Sequence, residues 1–223
     1  MKIDIVSLFP ELFEPFLRTS LVGRAAGSGV IEIVVHDLRP HGLGKHHSVD
    51  DEPYGGGAGM VMRPEPIFDA VEPLVTAASH VVLLSPRGRL LNHRVARELA
   101  THEHMVLVCG RYEGVDERVA EHLCDDEISI GDYVVSGGEI PALVVIESVC
   151  RFVPGVLGNP ASLEHESHAA GTLEYPQYTR PAVYRGLPVP DVLLSGNHAA
   201  VEEWRRREAI KTTRARRPDL SER

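Results

Sequence analysis

Five short apolar runs rich in β-branched residues, at 3–9, 30–36, 80–84, 105–110 and 127–130, constrain this chain more than any other feature. Each is too short for a helix and is bounded by proline, glycine or charge, so each predicts a buried strand. Helical spacing fills the intervals. Residues 64–78 open with Pro64 in a first helical turn, and residues 92–101 open with Asn92 as a good N-cap. Residues 115–123 form a third segment, and 137–152 a fourth whose Ile140, Leu143, Val144, Ile146 and Val149 make it apolar on most sides. Strand alternating with helix predicts an α/β domain built on a mostly parallel sheet, assigned to residues 1–158.

After Pro154 the texture changes. Residues 159–172 mix turn formers, histidines and glutamates without a sustained period and predict a flexible interdomain linker. Residues 173–223 predict a small helical domain, in which Ser195-Gly196-Asn197-His198 starts a basic helix around Trp204. At 223 residues the chain is large enough to bury a core without disulfides or structural metals. Cys109, Cys124 and Cys150 are odd in number, widely spaced and never form a CxxC pair, which fits buried thiols in a reducing compartment. The start Met1-Lys2-Ile3-Asp4-Ile5-Val6 lacks the organisation of a targeting signal, and no apolar run approaches the roughly 18 residues of a membrane span. A cytoplasmic protein without a membrane partner is expected.

A net charge of −9 excludes a generic polyanion coat, but the total conceals an asymmetry. Residues 1–179 hold 13 basic and 26 acidic side chains, whereas residues 180–223 hold 10 basic and 6 acidic ones. Arg205, Arg206, Arg207, Lys211, Arg214, Arg216 and Arg217 crowd one short stretch, and arginine suits phosphate recognition through its planar fork. Two readings of this stretch stand at the level of composition: a nucleic-acid or anion site, or a solvated helix face on which Glu202, Glu203 and Glu208 pair with the arginines.

Among motifs that carry chemistry, Tyr54-Gly55-Gly56-Gly57-Ala58-Gly59-Met60 lets backbone pass close to a ligand, yet it has no Gly-Lys-Ser/Thr ending. The turn after the first strand has no GxGxxG, so P-loop and ordinary dinucleotide-binding readings lose their support. Three loops at the ends of successive strands say more: Leu84-Ser85-Pro86-Arg87-Gly88, then Cys109-Gly110-Arg111-Tyr112-Glu113-Gly114, then Ser129-Ile130-Gly131-Asp132-Tyr133-Val134-Val135-Ser136-Gly137-Gly138-Glu139. Ligands of parallel α/β sheets gather at strand carboxyl ends, where such loops offer backbone amides between apolar walls. Taken singly, each loop is also an ordinary strand-to-helix turn. His46-His47 beside Asp50 and Asp51 matches no zinc spacing and predicts a surface or RNA contact rather than a metal site.

The segments 51–62, 109–114 and 129–139, together with Pro154-Gly155-Val156-Leu157-Gly158, Tyr178-Thr179-Arg180-Pro181 and Val192-Leu193-Leu194-Ser195-Gly196-Asn197-His198, resemble the bacterial tRNA (guanine-N1)-methyltransferase family TrmD over nearly the whole chain. The resemblance implies a SPOUT-type α/β parallel sheet with a trefoil knot, where pattern alone would suggest an open doubly wound sheet and knots are rare. It implies an obligate homodimer with shared active sites, S-adenosyl-L-methionine as methyl donor, and tRNA methylated on the guanosine 3′ of the anticodon. A Mg2+ requirement comes with it, without a dedicated site in the sequence. By the same resemblance the cofactor positions are Leu84, Ser85, Pro86, Gly110, Ile130, Gly131, Asp132, Tyr133, Val134, Val135, Gly138 and Leu143. Arg111 and Glu113 fall where the family touches its target. His46, Tyr54, Arg180 and Arg205 are the further tRNA candidates.

Guanine N1 is a poor nucleophile until its proton leaves, so the reaction asks for a carboxylate base and for a cation near O6. The resemblance gives the cationic role to Arg151. The family's linker has an Asp-Ser pair; counting back from Tyr178-Thr179-Arg180-Pro181 puts Glu166-Ser167 there, one methylene longer. Glu166 is therefore the expected base, with Glu164 as fallback. A non-catalytic RNA binder and a ribose 2′-O-methyltransferase are the competing classes; Arg151 and the linker carboxylate argue against the first, and the Tyr-Gly-Gly-Gly segment against the second. A Glu166→Gln variant is expected to lose more than about tenfold in single-turnover methylation rate; retention of more than a tenth of the wild-type rate refutes the assignment.

Overall fold

A computed structural model describes residues 1–159, 163 and 166–220. The chain divides into two compact units, Met1–Gly158 and Asn159–Arg223. In the first, the strands are β1 (Lys2–Ser7), β2 (Glu32–Asp37), β3 (Asp50–Asp51), β4 (Val61–Met62), β5 (Ser79–Leu90), β6 (His104–Cys109) and β7 (Asp126–Ser129). The helices are α1 (Glu14–Leu17), α2 (Ser20–Gly27), α3 (Pro64–Val71), α4 (His93–Leu99), α5 (Glu117–His122) and α6 (Glu139–Cys150).

The five expected strands form one sheet in the order β2-β1-β6-β5-β7, and every neighbouring pair is parallel. Both faces are covered, which is why these strands read as unbroken apolar runs. Ile3, Ile5, Val82, Leu84, Met105 and Leu107 pack on one side with Val22, Leu99, Val145 and Val149 of the helices. Val6, Val81, Leu83, Val106 and Val108 face the other way, against Ile67, Val71 and Val119. The mixed α/β character and parallel central sheet agree with the sequence expectation.

Boundaries differ where local chemistry intervenes. The helix expected over 64–78 stops at Val71 and tightens into a 3-10 turn at Glu72–Leu74, because Pro73 has no N–H to continue the ladder. The third strand runs to Leu90 rather than Leu84: it arcs outward after Leu84 and returns with Arg89 opposite Ile128, the residue that Leu84 already faces. Asn92 caps α4 as expected, its Oδ1 accepting the Val95 N–H at 3.0 Å. Helices α1 and α2 and the β3–β4 pair lie in stretches without an expected element.

The second unit holds the hairpin β8 (Val183–Tyr184) and β9 (Leu187–Pro188), then α7 (Asp191–Leu194) and α8 (His198–Arg216). The Asn197 side chain caps α8 by accepting the Ala200 N–H at 3.2 Å. Trp204 and Thr213 are the buried anchors of α8; Tyr178 lies 6.3 Å from the Trp204 ring, and Thr213 Oγ1 accepts the Leu173 N–H at 2.9 Å. The described part of the expected linker is turned, with the His168 N–H donating to the Thr172 carbonyl at 2.7 Å. Glu164 lies outside the described residues, as do 160–162 and 165. Among the described residues no helix is long and apolar enough to cross a membrane.

Near the amino ends of the central strands a charged group is buried. Asp4, fully shielded, accepts hydrogen bonds from His36 Nε2 and His104 Nε2, both at 2.7 Å, and pairs with Lys2 Nζ at 2.8 Å. Ser79 Oγ lies 2.7 Å from His104 Nδ1, completing a Ser-His-Asp array. Ser79 Oγ also accepts the Thr76 N–H at 2.8 Å, which ties the loop to the strand starts. Burial alone would raise the Asp4 pKa, but hydrogen bonds from Lys2, His36 and His104 outweigh it and hold the carboxyl below its usual range. Its contribution is therefore present above the ordinary carboxylate pKa of about 3.9 and lost as pH falls through the lower native value. Asp4→Asn is expected to cost about 3 kcal/mol in urea unfolding at neutral pH, a difference that narrows below pH 4.

Candidate functional site

A cavity of about 350 Å³ opens at the carboxyl ends of β5, β6 and β7, walled by the three glycine-bearing loops. The outward arc of β5 places Ser85 and Pro86 there, and it needs Gly88, since a Cβ at that position would meet the Glu127 backbone. Leu84, Ser85, Pro86, Gly110, Ile130, Tyr133, Val134, Val135 and Gly138 line the cavity, as do Arg111 and Glu113. Of the expected cofactor residues, Gly131, Asp132 and Leu143 do not. Gly131 (φ +158) leaves room for the Tyr133 ring, whose hydroxyl donates to the Ile130 carbonyl at 3.2 Å, and Leu143 packs against the main core. Pro141, Tyr112 and Ser136 also line the wall. Ser136 and Tyr112 stand inside the glycine-rich loops, while Pro141 follows them in the first turn of α6, where helical spacing gives no hint of a ligand.

The loops after β6 and before α6 are locked together. The Gly138 N–H donates to the Gly110 carbonyl at 2.8 Å, and Arg111 bridges Gly137 in antiparallel fashion. Gly138 is required: a Cβ there would stand 2.6 Å from Cys109 Cα and 2.9 Å from the Gly110 nitrogen. The Arg111 side chain runs beneath this junction. Its Nη1 donates to the Ser136 carbonyl at 3.2 Å, its guanidinium lies 4.4 Å from the Phe9 ring centre, and its Nε stands 3.0 Å from Glu139 Oε2. That last N–H is not aimed as in a hydrogen bond, so the contact is a buried ion pair. Glu139 is 1% exposed, and its other oxygen accepts the Ser7 hydroxyl at 2.8 Å.

The Tyr54–Met60 loop docks beside the same wall. The Glu113 N–H donates to the Met60 carbonyl at 3.0 Å, and the Glu113 carboxylate fills the space that a Cβ on Gly59 (φ +86) would take. Tyr54 is fully exposed and His46 lies on an exposed loop. At the cavity rim Arg87 pairs with Glu117 at 2.8 Å and with Glu127 at 3.4 Å. Both cationic side chains of the wall, Arg87 and Arg111, are thus already matched with carboxylates. The cavity offers backbone amides, a serine hydroxyl and apolar walls, a donor set that suits an uncharged heterocycle and its sugar better than a phosphate.

The two expected catalytic residues lie in different units, Arg151 in the first and Glu166 in the second. Arg151 follows the last residue of α6, whereas the cavity is at the first turn of that helix; twelve residues at about 1.5 Å rise separate the two ends by roughly 18 Å. Glu166 belongs to the second unit, is half-buried, and accepts the Ala169 N–H through its carbonyl at 3.2 Å. In that unit Arg180 is exposed, and Arg205 lies 4.9 Å from the Tyr175 ring and 3.8 Å from Glu202. On α8 Arg206 pairs with Glu203 and Lys211 with Glu208, while Arg207, Arg214 and Arg216 have no carboxylate partner among the described residues. The solvated-face reading therefore accounts for part of the basic cluster only. Cys109, Cys124 and Cys150 are free thiols, and burial pushes the latter two up to about 12. Among the described residues no group of three or more His, Cys, Asp or Glu could hold a metal ion.

Fold and cavity define a parallel α/β protein with a ligand-sized cavity at its strand ends. The chain belongs to the family described as tRNA (guanine-1)-methyltransferase TrmD, whose model matches residues 1–223. A curated tRNA (guanine-N(1)-)-methyltransferase of Dehalococcoides mccartyi is 53% identical over 225 residues, covering all of this chain and 91% of the relative. Proteins of the same name from Dictyoglomus turgidum and Bacillus subtilis are 55% and 52% identical, covering 100% and 99% of this chain and 90% and 92% of their own lengths. Methyltransferases of this kind use S-adenosylmethionine. Gly138→Ala is expected to destabilise the protein by about 1–3 kcal/mol, because the clash is with the Cys109–Gly110 backbone rather than with a flexible side chain; the measurement is the shift of the urea midpoint at constant slope.

Proposed function

We propose that this protein transfers a methyl group from S-adenosyl-L-methionine to N1 of guanine at tRNA position 37, next to the anticodon. The observation that carries the reading is the cavity at the strand ends, where rim cations are already paired and apolar walls face backbone donors. Such a site suits an adenosine without phosphates. S-adenosylmethionine supplies a methyl already activated by its sulfonium. Leu84, Ser85, Pro86, Gly110, Ile130, Tyr133, Val134, Val135 and Gly138 hold the cofactor, Gly131 and Asp132 shape its loop, and Leu143 backs the wall from the core. Glu166 accepts the proton of guanine N1, and Arg151 balances the negative charge that develops at O6; a positioned base is worth on the order of 10²–10⁴-fold. Arg111, Glu113, His46, Tyr54, Arg180 and Arg205 contact the tRNA.

In this reading residues 1–158 are the catalytic SPOUT domain with a trefoil knot, 159–172 the interdomain linker and 173–223 the small helical tRNA-binding domain, in a cytoplasmic homodimer. Two features support the dimer. Ile140 and Val144 leave α6 with an exposed apolar face, at 54% and 40% exposure. Arg151 is about a helix length from the cavity of its own chain, so its catalytic role needs the cavity of a second copy. The unpaired arginines of α8 support tRNA contact. A Mg2+ requirement goes with this reading.

The test is incubation with labelled S-adenosylmethionine and tRNA transcripts with or without guanosine at position 37, followed by nucleoside analysis. N1-methylguanosine dependent on that guanosine is expected. Its absence, or a 2′-O-methylated nucleoside in its place, overturns the proposal.

A further inference from the structure

Glu139 is a buried carboxylate beside the cavity for which the proposed reaction has no use. Taking a charge out of water to 1% exposure costs several kcal/mol before it is paired, and an apolar or amide side chain of similar volume often serves a fold equally well. Part of the cost is met by its place in the first turn of α6, next to free backbone N–H groups, and part by the Ser7 hydroxyl. Neither requires a full negative charge. What does is the Arg111 guanidinium, whose Nε stands 3.0 Å away, itself 20% exposed and 4.4 Å from the Phe9 ring centre.

Arg111 joins the two loops that form the cavity wall: its backbone bridges Gly137 and its Nη1 holds the Ser136 carbonyl. Gly137 keeps this path open, because a Cβ there would collide with the Arg111 side chain and the Glu139 carboxylate. Without the Glu139 charge the guanidinium is a buried cation with only a carbonyl and a ring face for partners, and it has an aqueous cavity within reach. We propose that Glu139 is a positioning residue for methyl transfer: acting through Arg111, it fixes the spacing of the 110–114 and 133–138 loops and keeps the arginine charge away from the cationic sulfonium of the cofactor. Ser7, at the end of β1, sets the carboxylate in turn.

The inference rests on the proposed function, and the experiment separates the two. In the full-length protein, S-adenosylmethionine binding is measured by calorimetry, and KM and kcat at saturating tRNA, for wild type, Glu139→Gln, Arg111→Ala and the double variant, well below their unfolding midpoints. Glu139→Gln is expected to raise the Kd and KM for S-adenosylmethionine on the order of tenfold with kcat within about threefold of wild type. In the Arg111→Ala background the same substitution is expected to add less than about twofold. An unchanged cofactor KM in folded Glu139→Gln, or effects of the two substitutions that multiply, refutes the positioning role alone. A wild-type protein that takes up no S-adenosylmethionine refutes the function and this role with it. Should Glu139→Gln fail to fold, Ser7→Ala, which removes the second anchor of the carboxylate, is expected to raise the cofactor KM about threefold, and an unchanged KM refutes the role.

Discussion

Burial of a parallel sheet on both faces is the constraint from which the rest of this molecule follows. Strands such as β6, shielded along its whole length, have no side-chain position left for chemistry. Polar function is confined to strand ends, and the two ends are used differently. At the amino ends Asp4 draws Lys2, His36 and His104 into a closed network that fastens β1, β2 and β6 together. At the carboxyl ends the chain is kept open by glycine, and a ligand-sized cavity results.

That cavity depends on backbone more than on side chains. Gly88 and Gly138 permit approaches that any Cβ would block, and each closes one loop against the next strand or loop. Charge is handled by neutralisation within the wall: Arg87 with Glu117 and Glu127, Arg111 with Glu139. A phosphate-bearing ligand would want those cations unpaired, whereas a cofactor with a sulfonium would not. The electrostatics of the wall thereby separate this protein from the nucleotide-binding α/β proteins whose overall layout it shares.

Charge is divided along the chain. Acidic residues dominate the first 179 positions and basic ones the last 44, with Arg207, Arg214 and Arg216 of α8 unmatched among the described residues. The cavity wall, in the first unit, has its own charge balance. Within the first unit, Arg151 and the cavity lie at opposite ends of α6.

Much of this was legible in the residues. Apolar runs without alternation, Asn92 as a helix cap, and three glycine-bearing loops after successive strands were enough for a parallel α/β sheet with a candidate pocket at its carboxyl ends. Pro141, the outward arc of β5 and the early end of α3 were not legible as such, because each is settled by a neighbour distant in sequence or by a single missing N–H. The packing of Gly131 against the Tyr133 ring and of Leu143 against the core was likewise not legible in the local pattern. Glu139 carried no signal at all; a glutamate opening a helix is ordinary. Local composition and period determine which elements form and which faces are apolar, since these depend on near neighbours. Only the tertiary structure decides which charge lies buried against which, because the Ser7, Arg111 and Glu139 side chains meet across 132 and 28 positions of chain.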